Sequence, residues 1–168
     1  MKTSYILSQV LIIIAYILLG IGLGKKSRKH ILVYSSIYNI LSASHYILLS
    51  GTMGAISNII GLVRNLSFYY NEKRGRKNSK TLLLIFCFIA IVLTIIFYKT
   101  PVDLLPCILT LIGIYSYWNT NTKVTRIGNI LVSICYIIYA IPIKSYFSMI
   151  LEGYLVIKTL IGYFKYET

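Results

Sequence analysis

The segment TLLLIFCFIAIVLTIIFY, residues 81–98, carries no charge and almost no polar side chain in its interior. A bilayer's hydrocarbon core is about 30 Å thick and takes about 20 mainly apolar residues to cross as a helix. With no polar face to turn inward, this segment reads as a lipid-facing helix. Comparable apolar stretches flank it, and together they predict seven transmembrane helices over 4–24, 31–50, 53–70, 81–98, 101–118, 127–143 and 145–164. Dividing 168 residues by seven spans leaves about 24 for each helix with its loop, so function is expected inside the bilayer or at its faces.

Composition agrees. The chain is 57% hydrophobic and 12% charged, far from the roughly quarter-charged balance of soluble domains. The first segment is read as a retained helix, because it is long and runs into a basic loop instead of a small-residue cleavage site. The net charge of +13 is distributed by side rather than by domain. Twelve Lys and Arg fall in loops on one side of the seven spans, in GKKSRKH, NEKRGRKNSK, Lys123 with Arg126, and Lys165. Only Lys2, Lys99 and Lys144 fall on the other. This positive-inside pattern predicts a membrane protein with its N-terminus outside and its C-terminus cytoplasmic. It also predicts that the basic loops meet anionic lipid headgroups, and it argues against nucleic acid. Cys87, Cys107 and Cys135 lie on three different helices without paired spacing, which favours small buried residues over disulfides or metal ligands.

An internal repeat organises the rest. A shift of 94 residues lays Asn58 on Glu152, Arg64 on Lys158, Asn65 on Thr159, Gly54 on Ser148, Gln9 on Asp103, Asn39 on Ser133 and His45 on Tyr139. The expected fold is therefore all-α: a three-helix bundle over 1–70, a basic loop and connector helix over 71–98, and a second three-helix bundle over 99–168. An odd connector keeps the halves parallel, as in transporters whose two halves rock about a site near the midplane.

Helical spacing places the polar groups on stripes. Helix 3 offers Gly54, Asn58, Gly61 and Asn65, and helix 7 offers Ser148, Glu152, Leu155 and Thr159. Helix 5 offers Asp103, Pro106, Thr110 and Gly113, and helix 2 offers Ser35, Tyr38, Ser42 and His45. Lipid would leave these amides and carboxylates unsatisfied, so the stripes are expected to face one another. Glu152, about seven residues inside its helix, is expected to be paired or neutral, serving either an internal lock or a solute or proton site. Arg64 and Lys158 are its candidate partners, with snorkelling to the cytoplasmic face as the alternative. Asp103, between Pro101 and Pro106, reads either as a helix-start signal or as an entrance acid. His45 is either a hydrogen-bonded interior residue or a titrating group near the outer leaflet. Pro106 and Pro142 are expected to loosen their helices.

The run TPVDLLPCILTLIGIYSYW, the basic turn ending at Arg126, SICYIIYA, and FSMILEGYLVIKTLIGYFKY resemble the YgjV family of bacterial inner-membrane proteins. The resemblance runs through Asp103 between its prolines, the Leu151–Glu152–Gly153 element, His45, Leu48–Leu49 and Arg64, and covers nearly the whole chain. It implies a membrane bundle rather than a reaction. The three-plus-one-plus-three layout is also similar to SWEET and PQ-loop transporters, though the chain has no proline–glutamine pair and a single tryptophan, Trp118. The expected function is a transporter or facilitator of a small polar solute, with a site formed by Asn39, His45, Asn58, Arg64, Asp103 and Glu152. A non-transporting membrane sensor or assembly protein is the alternative. No enzyme activity or cofactor is expected, since neither a nucleophile–base pair nor a metal-ligand spacing is present. Small residues on helical stripes also suit a homo-oligomeric face.

Overall fold

The computed structural model describes residues 2–98, 101, 104–140 and 146–167, with the side chains of residues 2, 3, 138–140 and 146–148 left aside. The described residues form seven α-helices and no strand: α1 Lys2–Leu23, α2 Arg28–Leu48, α3 Thr52–Lys73, α4 Lys80–Phe97, α5 Leu104–Trp118, α6 Thr122–Ala140 and α7 Tyr146–Tyr166. All seven expected segments are helical, but several begin or end elsewhere. Helix α2 starts at Arg28, α3 runs on to Lys73 and α6 starts at Thr122. Arg28 and Arg126, read from the sequence as loop charges, are therefore helical residues.

Local chemistry sets the ends. Ser79 caps α4, its hydroxyl accepting from the Leu82 amide at 3.1 Å. Pro106 lies in the first turn of α5, where its missing N–H would have no helical partner, so it costs no backbone bond there and the expected loosening does not arise. Pro142 lies outside the described residues. Between α2 and α3 the chain turns at Ser50, whose φ of +57° is left-handed. That region costs a side-chain-bearing residue about 1 kcal/mol relative to glycine. Ser50→Gly is accordingly expected to raise stability by up to about 1 kcal/mol, read as a later unfolding midpoint in a denaturant titration of the purified protein.

Helix α2 packs on α1 and α3, and α6 packs on α5 and α7. Helix α1 also meets α7, and α3 meets α5. Helix α4 touches only α3 and α5 extensively. It buries the i, i+4, i+8 row Phe86, Ala90 and Thr94 and leaves Leu84, Ile85, Phe88, Ile91, Ile95 and Ile96 exposed, matching the lipid-facing reading of residues 81–98. Phe86 stacks edge-on against Phe68 of α3 at 5.9 Å. The apolar core continues through Leu19, Leu23, Ile31, Leu32, Ile60, Ile114 and Leu155. Ser4–Leu23, Arg28–Leu48 and Lys80–Phe97 are long and apolar enough to cross a membrane, and Leu104–Trp118 is a shorter apolar helix.

One close crossing occurs twice. A Cβ built on Gly22 of α1 would lie 2.4 Å from Cβ of Tyr34 on α2, and one built on Gly128 of α6 would lie 2.4 Å from Cβ of Ser116 on α5. Ser116 is position 22 + 94 and Gly128 is position 34 + 94. The two helix pairs approach equally closely at equivalent positions, with the glycine on opposite partners.

Candidate functional site

A cavity of about 560 Å³ lies among the helices, within the range of metabolite sites. Its walls include members of each of the stripes that spacing singled out. Gly54, Asn58, Gly61 and Asn65 of α3, Pro106, Thr110 and Gly113 of α5, Ser35 and Tyr38 of α2, and Glu152 and Leu155 of α7 all line it. Asn39 and Ser133 line it as well. Glycine at 61 is what admits Asn39, since a Cβ there would sit 2.9 Å from the amide.

The six expected site residues divide. Asn39, Asn58, Arg64 and Glu152 reach the cavity together. His45 does not line it; its ring is buried against α1, with Nδ1 at 2.8 Å from the Ser8 carbonyl. That is the hydrogen-bonded interior role, and it removes His45 from the candidate site. Asp103 lies outside the described residues. Among stripe members, Ser42 and Thr159 are buried between helices instead of facing the cavity.

Glu152 is 4% exposed, and neither expected cation pairs with it. The described ion pairs are Arg28–Glu72 and Arg126–Glu167. Instead the Tyr16 hydroxyl donates to Glu152 Oε1 at 2.6 Å, with Ser133 as a second polar neighbour. Tyr16 in turn packs edge-on against Tyr38 at 5.6 Å. Lys158 is half-buried beside the Tyr154 ring. Tyr16 was not legible as a site residue, because one hydroxyl among 16 tyrosines on an otherwise apolar helix carries no distinguishing pattern.

Arg64 does not snorkel. It is 6% exposed, lies over the Tyr117 ring at 4.6 Å, and donates from Nε to Asn65 Oδ1 at 3.0 Å. Its Nη1 occupies the space left by Gly113, where a Cβ would stand 3.0 Å away. The Nε bond fixes the Asn65 amide with Nδ2 turned away, and that buried donor has no acceptor. An unmade buried hydrogen bond of this kind costs about 1–3 kcal/mol.

The lining includes Ser50, Gly51, Thr52 and Met53 at the α2–α3 turn, Phe97 at the end of α4 and Pro106 at the start of α5. At the opposite end, where α1 meets α2, α3 meets α4 and α5 meets α6, polar clamps hold the helices together. Arg28 of α2 pairs with Glu72 of α3 at 2.5 Å and donates through Nη2 to the Tyr117 carbonyl of α5 at 2.6 Å. Arg126 of α6 pairs with Glu167 beyond α7 and donates to the carbonyls of Leu23, at the end of α1, and Lys25. Leu23 and Tyr117 are themselves 94 residues apart. The Arg28 clamp thus ties α2 and α3 to the C-terminal end of α5, and the Arg126 clamp ties α6 and the residue after α7 to the C-terminal end of α1, where carbonyls lack helical partners and the dipole favours a cation. Asn78 and Trp118 add a third tie, donating to the Trp118 and Ser79 carbonyls at 2.8 and 2.9 Å. These clamps were missed because Arg28 and Arg126 were counted only as topology charges. The available signal was that two of four acidic residues, Glu72 and Glu167, lie just beyond the third and seventh expected segments, at positions one residue off the 94-residue shift.

An all-helical chain with an extensive apolar surface and a polar interior cavity is a helical membrane protein. The chain belongs to the Imp-YgjV family, described as bacterial inner membrane protein, which matches residues 6–168. No curated protein and no solved structure matches it.

Proposed function

We propose that the protein carries a small polar solute across the inner membrane by alternating access. The observation that carries this reading is the polar cavity, which reaches the α2–α3 turn and is tied shut at the other end by the Arg28 and Arg126 clamps. All seven helices cross the bilayer, as two parallel three-helix bundles over 1–70 and 99–168 joined by connector α4 in 71–98. Support comes from the matched crossings at Gly22–Tyr34 and Ser116–Gly128 and from the pairing of α1 with α7 and of α5 with α3. The layout is that of SWEET and PQ-loop transporters, with the N-terminus outside and the C-terminus cytoplasmic on the strength of the positive-inside count. The clamps then form the inner gate, and the cavity is open to the outside. Rocking of the bundles breaks the clamp bonds to Leu23, Lys25 and Tyr117 while leaving each Arg–Glu pair within its own bundle. The basic loops beside them face anionic headgroups.

Proteoliposomes containing the protein should take up members of a panel of amino acids, sugars, carboxylates and nucleosides faster than empty vesicles. If Glu152 couples proton movement, uptake should follow an imposed pH gradient, and Glu152→Gln should abolish that dependence while leaving the protein folded. Tyr16→Phe, which removes the donor to Glu152, should slow uptake by about tenfold, the worth of one charge-assisted hydrogen bond. Silence across the panel, together with a stoichiometric partner on purification, would replace transport with an assembly role.

A further inference from the structure

We propose that the clamped end of the cavity is an anion seat, in which the guanidinium of Arg64 and the amide of Asn65 bind the carboxylate, or an equivalent single negative group, of the solute. This deepens the transport reading and rests on it.

Three observations converge. Arg64 is buried at the cavity wall and faces no carboxylate within 4.0 Å among the described residues. Of the chain's four acids, Glu72 and Glu167 are held in the clamps and Glu152 takes the Tyr16 hydroxyl. Asp103, outside the described residues, lies ten positions before Gly113, the α5 residue beside the guanidinium. The second observation is the orphaned Asn65 Nδ2, a fully buried donor in the residue next to Arg64. The third is shape. Tyr117 supports the face of the guanidinium and Gly113 clears space beside Nη1, so the planar fork is pre-oriented, its Nε committed to Asn65 and its terminal nitrogens facing no carboxylate among the described residues.

Among the described residues Asn65 Nδ2 has no acceptor and Arg64 no carboxylate, which favours an acceptor-only group over a hydroxyl. Arg64 lies six residues beyond Asn58 along α3, about 9 Å deeper toward the clamps. A solute of a few carbons would therefore place its anionic group at Arg64 and its remaining polar groups against Asn39, Asn58 and Glu152.

The test is thermal unfolding of the detergent-purified protein against paired probes: two- to six-carbon carboxylates and α-amino acids beside their uncharged amides, alcohols and hexoses. At least one carboxylate should stabilise the wild type while its uncharged counterpart does not. Arg64→Gln should weaken that binding by about tenfold or more, and Arg64→Lys should recover part of it. If Arg64→Gln fails to fold, Gly113→Leu, which fills the space beside Nη1 and keeps the charge, should give the same loss. Uncharged solutes binding wild type and Arg64→Gln equally well would overturn the anion seat and leave the carrier reading standing. No binding by any probe of either kind would remove both.

Discussion

Arg126→Ala is expected to lower stability by about 3–5 kcal/mol, the loss typical when one partner of a buried ion pair is removed. Arg126 is 0% exposed and serves three acceptors at once, the Glu167 carboxylate and the carbonyls of Leu23 and Lys25. Truncation leaves two carbonyls without their side-chain donor and the Glu167 carboxylate with the Thr122 hydroxyl but no cation, in a region packed by α1, α6 and α7. Arg28→Ala is expected to cost less, because its partner Glu72 is 27% exposed and water replaces part of the interaction. Unfolding midpoints of both variants in mixed micelles, with the Arg126/Glu167 double-mutant cycle, check the ranking. Equal and small losses at the two arginines would mean that the clamps do not hold the triplets together.

The repeated crossing gives the second large effect. Gly128→Ala brings a Cβ to 2.4 Å from the Ser116 Cβ, and neither atom can move without shifting α5 against α6. Overpacking of this kind costs about 1–3 kcal/mol. The first triplet suggests its own remedy, since there the glycine is on the first helix and the larger residue on the second. Ser116→Gly combined with Gly128→Ala copies that arrangement and should recover most of the lost stability. A control is Gly153→Ala, whose Cβ would meet nothing within 4 Å; it should be neutral or gain up to about 1 kcal/mol from helix propensity. Unfolding midpoints decide it, and a double variant no better than Gly128→Ala alone would count against equivalent crossings in the two triplets.

The helices, their number and one complete polar stripe were readable in advance because each depends on spacing within one segment. The i, i+4, i+7, i+11 row Gly54, Asn58, Gly61 and Asn65 lines the cavity as written. A bilayer penalises any other orientation, so period alone sufficed. What each polar group touches was not readable. Glu152 was matched with Arg64 or Lys158 by charge, yet its partner is Tyr16, 136 residues away on α1. Arg64 was read either as that partner or as snorkelling to the membrane surface, but the glycine at 113 and the ring of Tyr117 give it a place inside.

The sequence by itself determined a helical membrane protein and its polar stripes, since hydropathy and periodicity are properties of neighbours along the chain. Only the tertiary structure decided that Arg28 and Arg126 clamp one end, that His45 turns toward α1, and that Arg64 stands in the cavity with no acid beside it among the described residues. Those outcomes depend on which helix ends meet and on the room left at a single glycine, both set by three-dimensional packing.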